Sequence, residues 1–398
     1  MKQVAASARL VIILGAISAF APLSIDMYLP GFAAIRHEFG ASAESVQWTL
    51  SAFFIGLAAG QFFYGPLADH FGRKPPLAVG LVLYTLASIG CGLAPNVETL
   101  IAMRTLQALG GCAGVVIAQA MVRDLFEPQV GARVLSRLVL VFGVAPIIAP
   151  SIGAWIVRVS DWRAIFWILT AIGAACLVSA MLLLPETRPR RSDRPPLALM
   201  PVLRDYWSLL SERRFLGFAS AVSLTHASVM AYVTAGAFVF IQLYGLSPTQ
   251  FALLFALNAC ALVIGAQWNA HLLKSHGAAT LLTRTTFIPP ILCAVLIVLT
   301  VHQTGGIAAL IAVMWPYLFT MSIVRPDATA CALADHAERA GTASSLIGVL
   351  QFLLATLAGV FMGLIHDGTA KPMAITMTLL TAAGFVLHRW LTRNPAPQ

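Results

Sequence analysis

Apolar runs of about 20 residues recur along the whole chain, each long enough to cross roughly 30 Å of hydrocarbon as a helix. Twelve can be counted, near residues 10–35, 45–66, 77–94, 98–122, 134–157, 162–184, 214–241, 248–271, 281–300, 306–330, 342–365 and 373–391. The loops between most of them are short, so neighbouring runs are antiparallel. A backbone in lipid must satisfy its own hydrogen bonds, and these Ala/Gly/Leu-rich runs lack the two-residue alternation of a barrel. Hydrophobic residues make up 59% of the 398 residues and charged residues 10%, too little polar surface to cover a soluble protein of this size. The fold class expected is all-α, polytopic and membrane-embedded.

The N-terminus imitates a signal peptide, with Lys2 and Arg9 before an apolar run and Ala19-Phe-Ala21 as a cleavage site. The run continues past Ala21 to Ile35, which argues for an intact first span. The 25 basic residues set the orientation. With the N-terminus inside, Arg36, Arg158, Arg163 and Lys371 fall outside, Arg104 and Arg325 fall within spans, and the remaining 19 face the cytoplasm. That bias explains the net charge of +9 through anionic lipid headgroups, without nucleic acid. The six cysteines (Cys91, Cys112, Cys176, Cys260, Cys293, Cys331) lie in expected spans without metal-ligand spacing, and read as small apolar residues.

Residues 185–213 form the longest polar segment and carry Pro185, Pro189, Pro195, Pro196 and a cluster of Arg. The expected organisation is therefore a six-helix bundle over 1–184, a cytoplasmic linker over 185–213 and a second six-helix bundle over 214–398. A degenerate echo supports it: Gly65-x-x-x-Asp69 after span 2 is matched by Gly265-x-x-x-Asn269 after span 8, an offset of 200. Two pseudo-symmetric bundles around a central cavity, open alternately to either side, are the expectation.

Functional residues are sought where charge is expensive. Asp26, Arg104, Arg325 and Asp327 lie inside spans, where each costs about 2.5–3.5 kcal/mol at mid-bilayer and so faces a cavity or a partner. Asp26 lies about nine residues, roughly 14 Å, inside the outer end of span 1, and Arg104 about six residues, roughly 9 Å, inside that of span 4. An ion pair between them is sterically open, either as a static brace or as a proton-coupling pair. A desolvated carboxyl responds to a nearby guanidinium, so moving that partner or a substrate cation changes its hold on a proton. Arg325 and Asp327 sit near the expected inner end of span 10, two residues apart, and share a helix face poorly. Arg325 is read either as snorkelling to the interface or, with Asp327, as part of a substrate cavity.

Gln107, Gln119, His226, Asn258, Gln267 and Gln351 are the other polar residues in spans, and interhelical hydrogen bonds are their commoner fate. His226 is also a candidate proton relay. Candidate cavity residues are Met27, Tyr28, Gln107, Tyr232, Phe238, Asn258, Arg325, Asp327 and Gln351, with Phe240 beside them. The connector Gly65-Pro-Leu-Ala-Asp-His-Phe-Gly-Arg-Lys74 has its own logic. Gly65 and Gly72 allow a tight turn, Arg73 and Lys74 are expected to meet the headgroups, and Asp69 accepts from backbone N–H groups or pairs with a base such as Arg123 or Arg133. Such a charge lock would hold the inner side closed in one state. Pro146, Pro150 and Gly153 in span 5 mark a kinked or closely packed helix.

These segments resemble the twelve-span drug:proton antiporters of the major facilitator superfamily, specifically the bicyclomycin/chloramphenicol-resistance (Bcr/CflA) subfamily. Pro22-Leu-Ser-Ile-Asp26-Met-Tyr-Leu-Pro30 resembles its span-1 signature, whose acid is associated with protonation. Gly65 to Lys74 matches the loop motif, and Arg104-x-x-Gln107 resembles the span-4 motif implicated in proton transfer, with Ala108 where many relatives have Gly. Ala145-Pro146-x-x-Ala149-Pro150-x-x-Gly153 resembles the span-5 antiporter motif, with Ala154 in place of its final Gly. Met121-Val-Arg123-Asp124, Phe255-Ala-Leu-Asn258 and Gly341-Thr-Ala-Ser-Ser345 are similar to further family segments. Asp327 stands where relatives tend to carry Asn, Arg325 is an added intramembrane charge, and Ala237 replaces an expected Pro.

The resemblance implies a monomeric carrier in a bacterial inner membrane, termini cytoplasmic, exporting small amphiphilic drugs as protons enter. One charge crossing 100 mV yields about 2.3 kcal/mol, a gradient of roughly 50-fold per proton. No GxxxxGK followed by Ser or Thr occurs, so ATP is not the expected drive, and no cofactor, metal ligand set or catalytic constellation is assigned. The alternative is a dedicated exporter of one metabolite, such as an amino acid or its derivative; a nutrient symporter or a membrane enzyme fits less well.

Overall fold

The computed structural model describes residues 8–187, 199–336 and 339–393, and every regular element among them is helical. The chain forms two compact units, Met1–Leu199 and Met200–Gln398.

In the first unit, span 1 is broken into α1 (Ala8–Ser18), α2 (Phe20–Asp26), a 3-10 turn (Leu29–Gly31) and α3 (Phe32–Phe39), with a 43° bend after Ser18. Pro30 within the 3-10 turn lacks an amide hydrogen, which suits a break rather than a helix interior. Then follow α4 (Ala43–Phe71), α5 (Lys74–Gly92), α6 (Val97–Leu125), α7 (Pro128–Val159) and α8 (Arg163–Leu183). Side chains fix where helices start: Ser42 Oγ accepts from the Ser45 amide at 3.2 Å, and Asn96 Oδ1 from that of Thr99 at 2.8 Å. Helix α4 lies against α6 so closely that a Cβ at Gly56 would overlap the Thr105 carbonyl.

The second unit opens with α9 (Leu199–Ser211), a helix inside the segment read from sequence as linker. Its Tyr206 and Leu209 are buried, and the Tyr206 hydroxyl bonds Ser345 at 3.0 Å, while Met200, Leu203 and Trp207 are exposed. Next come α10 (Arg213–Ala237), continued as a π-helical stretch (Phe238–Leu243), α11 (Pro248–Leu272), α12 (Ala278–Thr285), α13 (Ile288–His302), α14 (Gly306–Ala334), α15 (Ala340–Leu364) and α16 (Lys371–Thr392). A capping box of Ser247 and Gln250 starts α11. Helix α11 meets α14 as α4 meets α6, through a glycine: Gly265 lies on the Phe319 carbonyl and Ser322 Oγ.

Among the described residues, ten helices are long and apolar enough to cross a membrane, the α12–α13 pair counting as one, and the bent span 1 makes an eleventh. The twelfth expected span is α7, whose Val144–Val159 part is the apolar portion. Large apolar side chains stay exposed on the helix exteriors, Val79, Leu86, Leu182, Ile291 and Leu364 among them. Ser24, Thr49, Ser88, Gln107, Ser228 and Asn258 are buried instead. An apolar exterior over a polar-seamed interior is what a bilayer solvent selects. The protein is a helical, multi-pass membrane protein. All six cysteines are free, with Cys260 and Cys331 only partly buried.

Candidate functional site

Asp26 is the last residue of α2, at the break in span 1, and is 5% exposed. It takes part in no hydrogen bond or ion pair among the described residues. Gly153 of α7 lies directly on the Met27 carbonyl, where any Cβ would overlap it. The span-5 motif residues Pro150 and Gly153 are buried, Pro146 is half-buried, and both prolines sit inside α7. The motif therefore presses on the backbone that carries the acid.

The ion pair considered between Asp26 and Arg104 is not formed. Arg104, with no exposed surface, is drawn into an aromatic slot, its guanidinium 4.2 Å from the ring centre of Phe53 and 4.5 Å from that of Tyr28. Arg104 Nη1 donates to Gln107 Oε1 at 2.7 Å, one turn along α6. Gln107 Nε2 donates to Ser88 Oγ at 2.8 Å, and Ser88 Oγ to the Tyr84 carbonyl at 2.7 Å. The Tyr84 ring stacks on Phe20, and its hydroxyl shares a 2.8 Å hydrogen bond with Ser24, two residues before Asp26. Tyr28 is fixed by a 2.8 Å bond to Thr49. Arg104 Nε and Nη2 keep no partner, two buried donors waiting for an acceptor. Sequence reading identified Arg104 and Gln107 but missed Phe53, Tyr84 and Ser88, whose only signal was one-turn spacing along apolar helices.

The connector between α4 and α5 corrects a second expectation. Arg73 does not meet the headgroups; it is 5% exposed. Its Nε donates to Asp124 Oδ2 at 2.7 Å and its Nη1 to Asp69 Oδ1 at 2.8 Å. Asp69 thus pairs with Arg73; Arg123 is exposed, and the Arg133 side chain lies outside the described residues. Glu186, which sequence reading left unassigned, accepts from the backbone N–H groups of Arg73 at 2.8 Å and Lys74 at 2.9 Å. A carboxylate there satisfies the orphan amides at the start of α5. Lys74 Nζ donates to the Met181 carbonyl at 2.9 Å, and Thr187 Oγ1 to Asp124 at 2.9 Å. Gly72 has φ 92° and ψ 176°, a backbone shape that side chains rarely allow, which explains the glycine at that motif position.

In the second unit, Asn258 Nδ2 donates to the Tyr232 hydroxyl at 2.8 Å, and Tyr232 stacks on Phe255 with ring centres 5.6 Å apart. Phe238, half-buried in the π-helical stretch, meets the His366 ring edge-on, and Gln351 is half-buried on α15. Met27 and Tyr28, the other cavity candidates, are buried in the first unit. Asp327 accepts from Asn269 Nδ2 at 2.8 Å and so joins α14 to α11. Arg325, on another face of α14, makes no ion pair with it. Helix α14 runs four residues past the expected span, to Ala334, and Arg325 lies about 14 Å before that end.

The sequence profile of the Major Facilitator Superfamily matches residues 14–360, and the chain belongs to that superfamily of membrane transporters for small molecules. It is 34% identical to the MFS-type transporter YdgK of Bacillus subtilis over 391 residues, 98% of this chain and 96% of that one. It is 32% identical to the bicyclomycin resistance protein homolog of Haemophilus influenzae over 399 residues, 98% of each chain, in keeping with the subfamily its motifs resemble. The multidrug resistance protein MdtL of Escherichia coli shares 32% over 241 residues, 60% of each chain. The same fold recurs in two crystal structures. The peptide transporter POT matches with a TM-score of 0.76 at 14% identity, covering 96% of this chain and 93% of that one. The nucleoside transporter NupG matches with 0.71 at 11%, covering 96% and 98%.

Proposed function

We propose that this chain exports small amphiphilic compounds, antibiotics among them, across a bacterial inner membrane in exchange for protons, with both termini cytoplasmic. The observation that carries the reading is Asp26, a buried intramembrane carboxyl left without a partner at the break in span 1. A carboxyl so placed is stable when protonated and costly when charged, unless a cation or water reaches it. Proton release on substrate entry and uptake on substrate departure then couple the two fluxes, because each ligand changes the free energy of holding the other. Arg104, whose Nε and Nη2 have no partner, offers donors to an arriving acceptor in the same unit, and Gly153 ties helix α7 to the acid's backbone. Asp69, Arg73, Asp124 and Glu186 act as a gate that holds the cytoplasmic ends of α4, α5 and α6 together in one state. The names of the relatives support drug export over nutrient uptake.

The test is proton release from energised everted vesicles, followed with a pH-gradient dye while cationic, neutral and zwitterionic drugs are added. Dequenching by several unrelated compounds is the expected result. Silence across the panel, with the protein confirmed in the membrane, would transfer the reading to a dedicated exporter of one metabolite.

A further inference from the structure

Helix α9 carries an apolar face that the transport scheme does not use. At 3.6 residues per turn its side chains fall into three sectors about 120° apart. Tyr206 and Leu209 form one sector and are buried against the second unit. Met200, Leu203 and Trp207 form the next and are exposed, Met200 and Trp207 each by 73%. Asp205 and Ser208, both exposed, form the third, and exposed Arg204 lies between the apolar and polar sectors. A helix with one protein-facing, one apolar and one polar sector suits a place where protein, lipid and water meet.

The neighbouring residues fix that place. Only Glu212 separates α9 from α10, which is long and apolar enough to span a membrane. The first residue of α10, Arg213, lies over the ring of Trp390 near the end of α16, 5.4 Å from its centre, and Trp390 is 62% exposed. Beside them Arg214 pairs with Asp335 and His336 with Glu212, each at 3.4 Å. An exposed tryptophan among charged groups marks the level at which hydrocarbon gives way to water. Helix α9 does not project away from that level. Its Tyr206 hydroxyl donates to Ser345 Oγ at 3.0 Å, about 8 Å inside the start of α15, and Arg339 Nη1 donates to Ser208 Oγ at 3.3 Å. The helix is held alongside the end of the bundle, at headgroup depth, with its apolar stripe open.

We infer that α9 docks on an anionic phospholipid surface, its stripe among the acyl chains and Arg204 and Arg213 against the headgroups, and so positions the adjoining end of α15. The orientation proposed above makes this the cytoplasmic leaflet, and the inference rests on that reading for the leaflet and for its effect on transport. A zwitterionic surface would cover the stripe but leave the two arginines without anions. Asp205, on the far sector, stays in water.

The experiment uses the full-length protein, one copy per nanodisc, in phosphatidylglycerol or phosphatidylcholine. Leu203→Cys and Asp205→Cys variants are treated with a water-soluble maleimide, and mass spectrometry of the α9 peptide separates its labelling from that of the native cysteines. In phosphatidylglycerol, Leu203→Cys reacts at least about tenfold more slowly than Asp205→Cys. Phosphatidylcholine narrows that ratio, and so does adding Arg204→Gln. Trp207→Asp lowers transport in phosphatidylglycerol liposomes and leaves substrate affinity and the melting curve unchanged. Equal labelling of the two positions in phosphatidylglycerol overturns the inference even where transport is intact. Shielding that is identical in both lipids and survives Arg204→Gln overturns the anionic partner. Shielding that needs two copies per disc assigns the stripe to self-association and overturns it as well. Lipid-dependent shielding in a protein that moves no compound with protons would remove the export reading and leave the docking standing.

Discussion

The second span of each unit (α4, α11) packs on the fourth (α6, α14) through a glycine and carries a polar side chain near its end, yet the two ends are built from opposite materials. In the first unit, Asp69 at the end of α4 belongs to a charged cluster around Arg73, closed by Asp124 and by Glu186 on the first amides of α5. In the second unit, Asn269 at the corresponding position makes one hydrogen bond to Asp327 on α14, and no arginine joins it among the described residues. The bonds of the first junction all involve a charged group, each contributing about 1.5–3 kcal/mol, and their number sets them apart from the single Asn269–Asp327 bond. Exposure of Asp69, whose side chain is 56% accessible, discounts its share, while Asp124 at 23% keeps more of its own. The first unit thus holds a junction of several coupled charges that lets go only when its parts move together. The second holds a single contact, and the gate we propose is therefore the first.

Four substitutions test that asymmetry, in decreasing order of effect. Arg73→Ala removes the shared partner of two carboxylates, and transport in vesicles is expected to fall at least about 30-fold, a cost of about 2 kcal/mol, with substrate binding largely kept. Lost affinity with normal turnover would instead place Arg73 in the binding site. Asp124→Asn keeps the shape but removes the charge from the closer bond, and about a tenfold loss of turnover is expected in the same assay. Asn269→Asp sets two carboxylates against each other between α11 and α14; thermal unfolding should fall by a few degrees, about 1 kcal/mol for a unit of this size. An unchanged melting curve would show that α11 and α14 do not depend on this contact. Asn269→Ala removes one bond, and a change of about threefold or less in transport is expected; an effect matching Arg73→Ala would erase the distinction between the units.

Much of this was legible in the sequence. Apolar runs located the spans, because the bilayer imposes length and composition directly, and the connector motif located the charged cluster but not its pairing. What failed was azimuth and long-range pairing. Depth along a helix put Asp26 and Arg104 at comparable levels, but only packing shows that Phe53 and Tyr28 turn the guanidinium into an aromatic slot. A basic pair beside a membrane reads as headgroup anchors, and Arg73 departs from that rule because Asp124 and Glu186, distant in sequence, converge on it. Helical periodicity did separate Arg325 from Asp327, and the structure puts them on different faces, but it could not show that Asn269 takes the acid.

In the mechanism we propose, Asp26 carries the coupled proton. The most direct test compares wild type and Asp26→Asn in proteoliposomes, measuring substrate-driven proton movement together with substrate exchange at zero gradient. The variant, which keeps the shape and loses the titratable group, should still exchange substrate but move no protons and accumulate nothing against a gradient. Undiminished proton-driven accumulation by Asp26→Asn would contradict it.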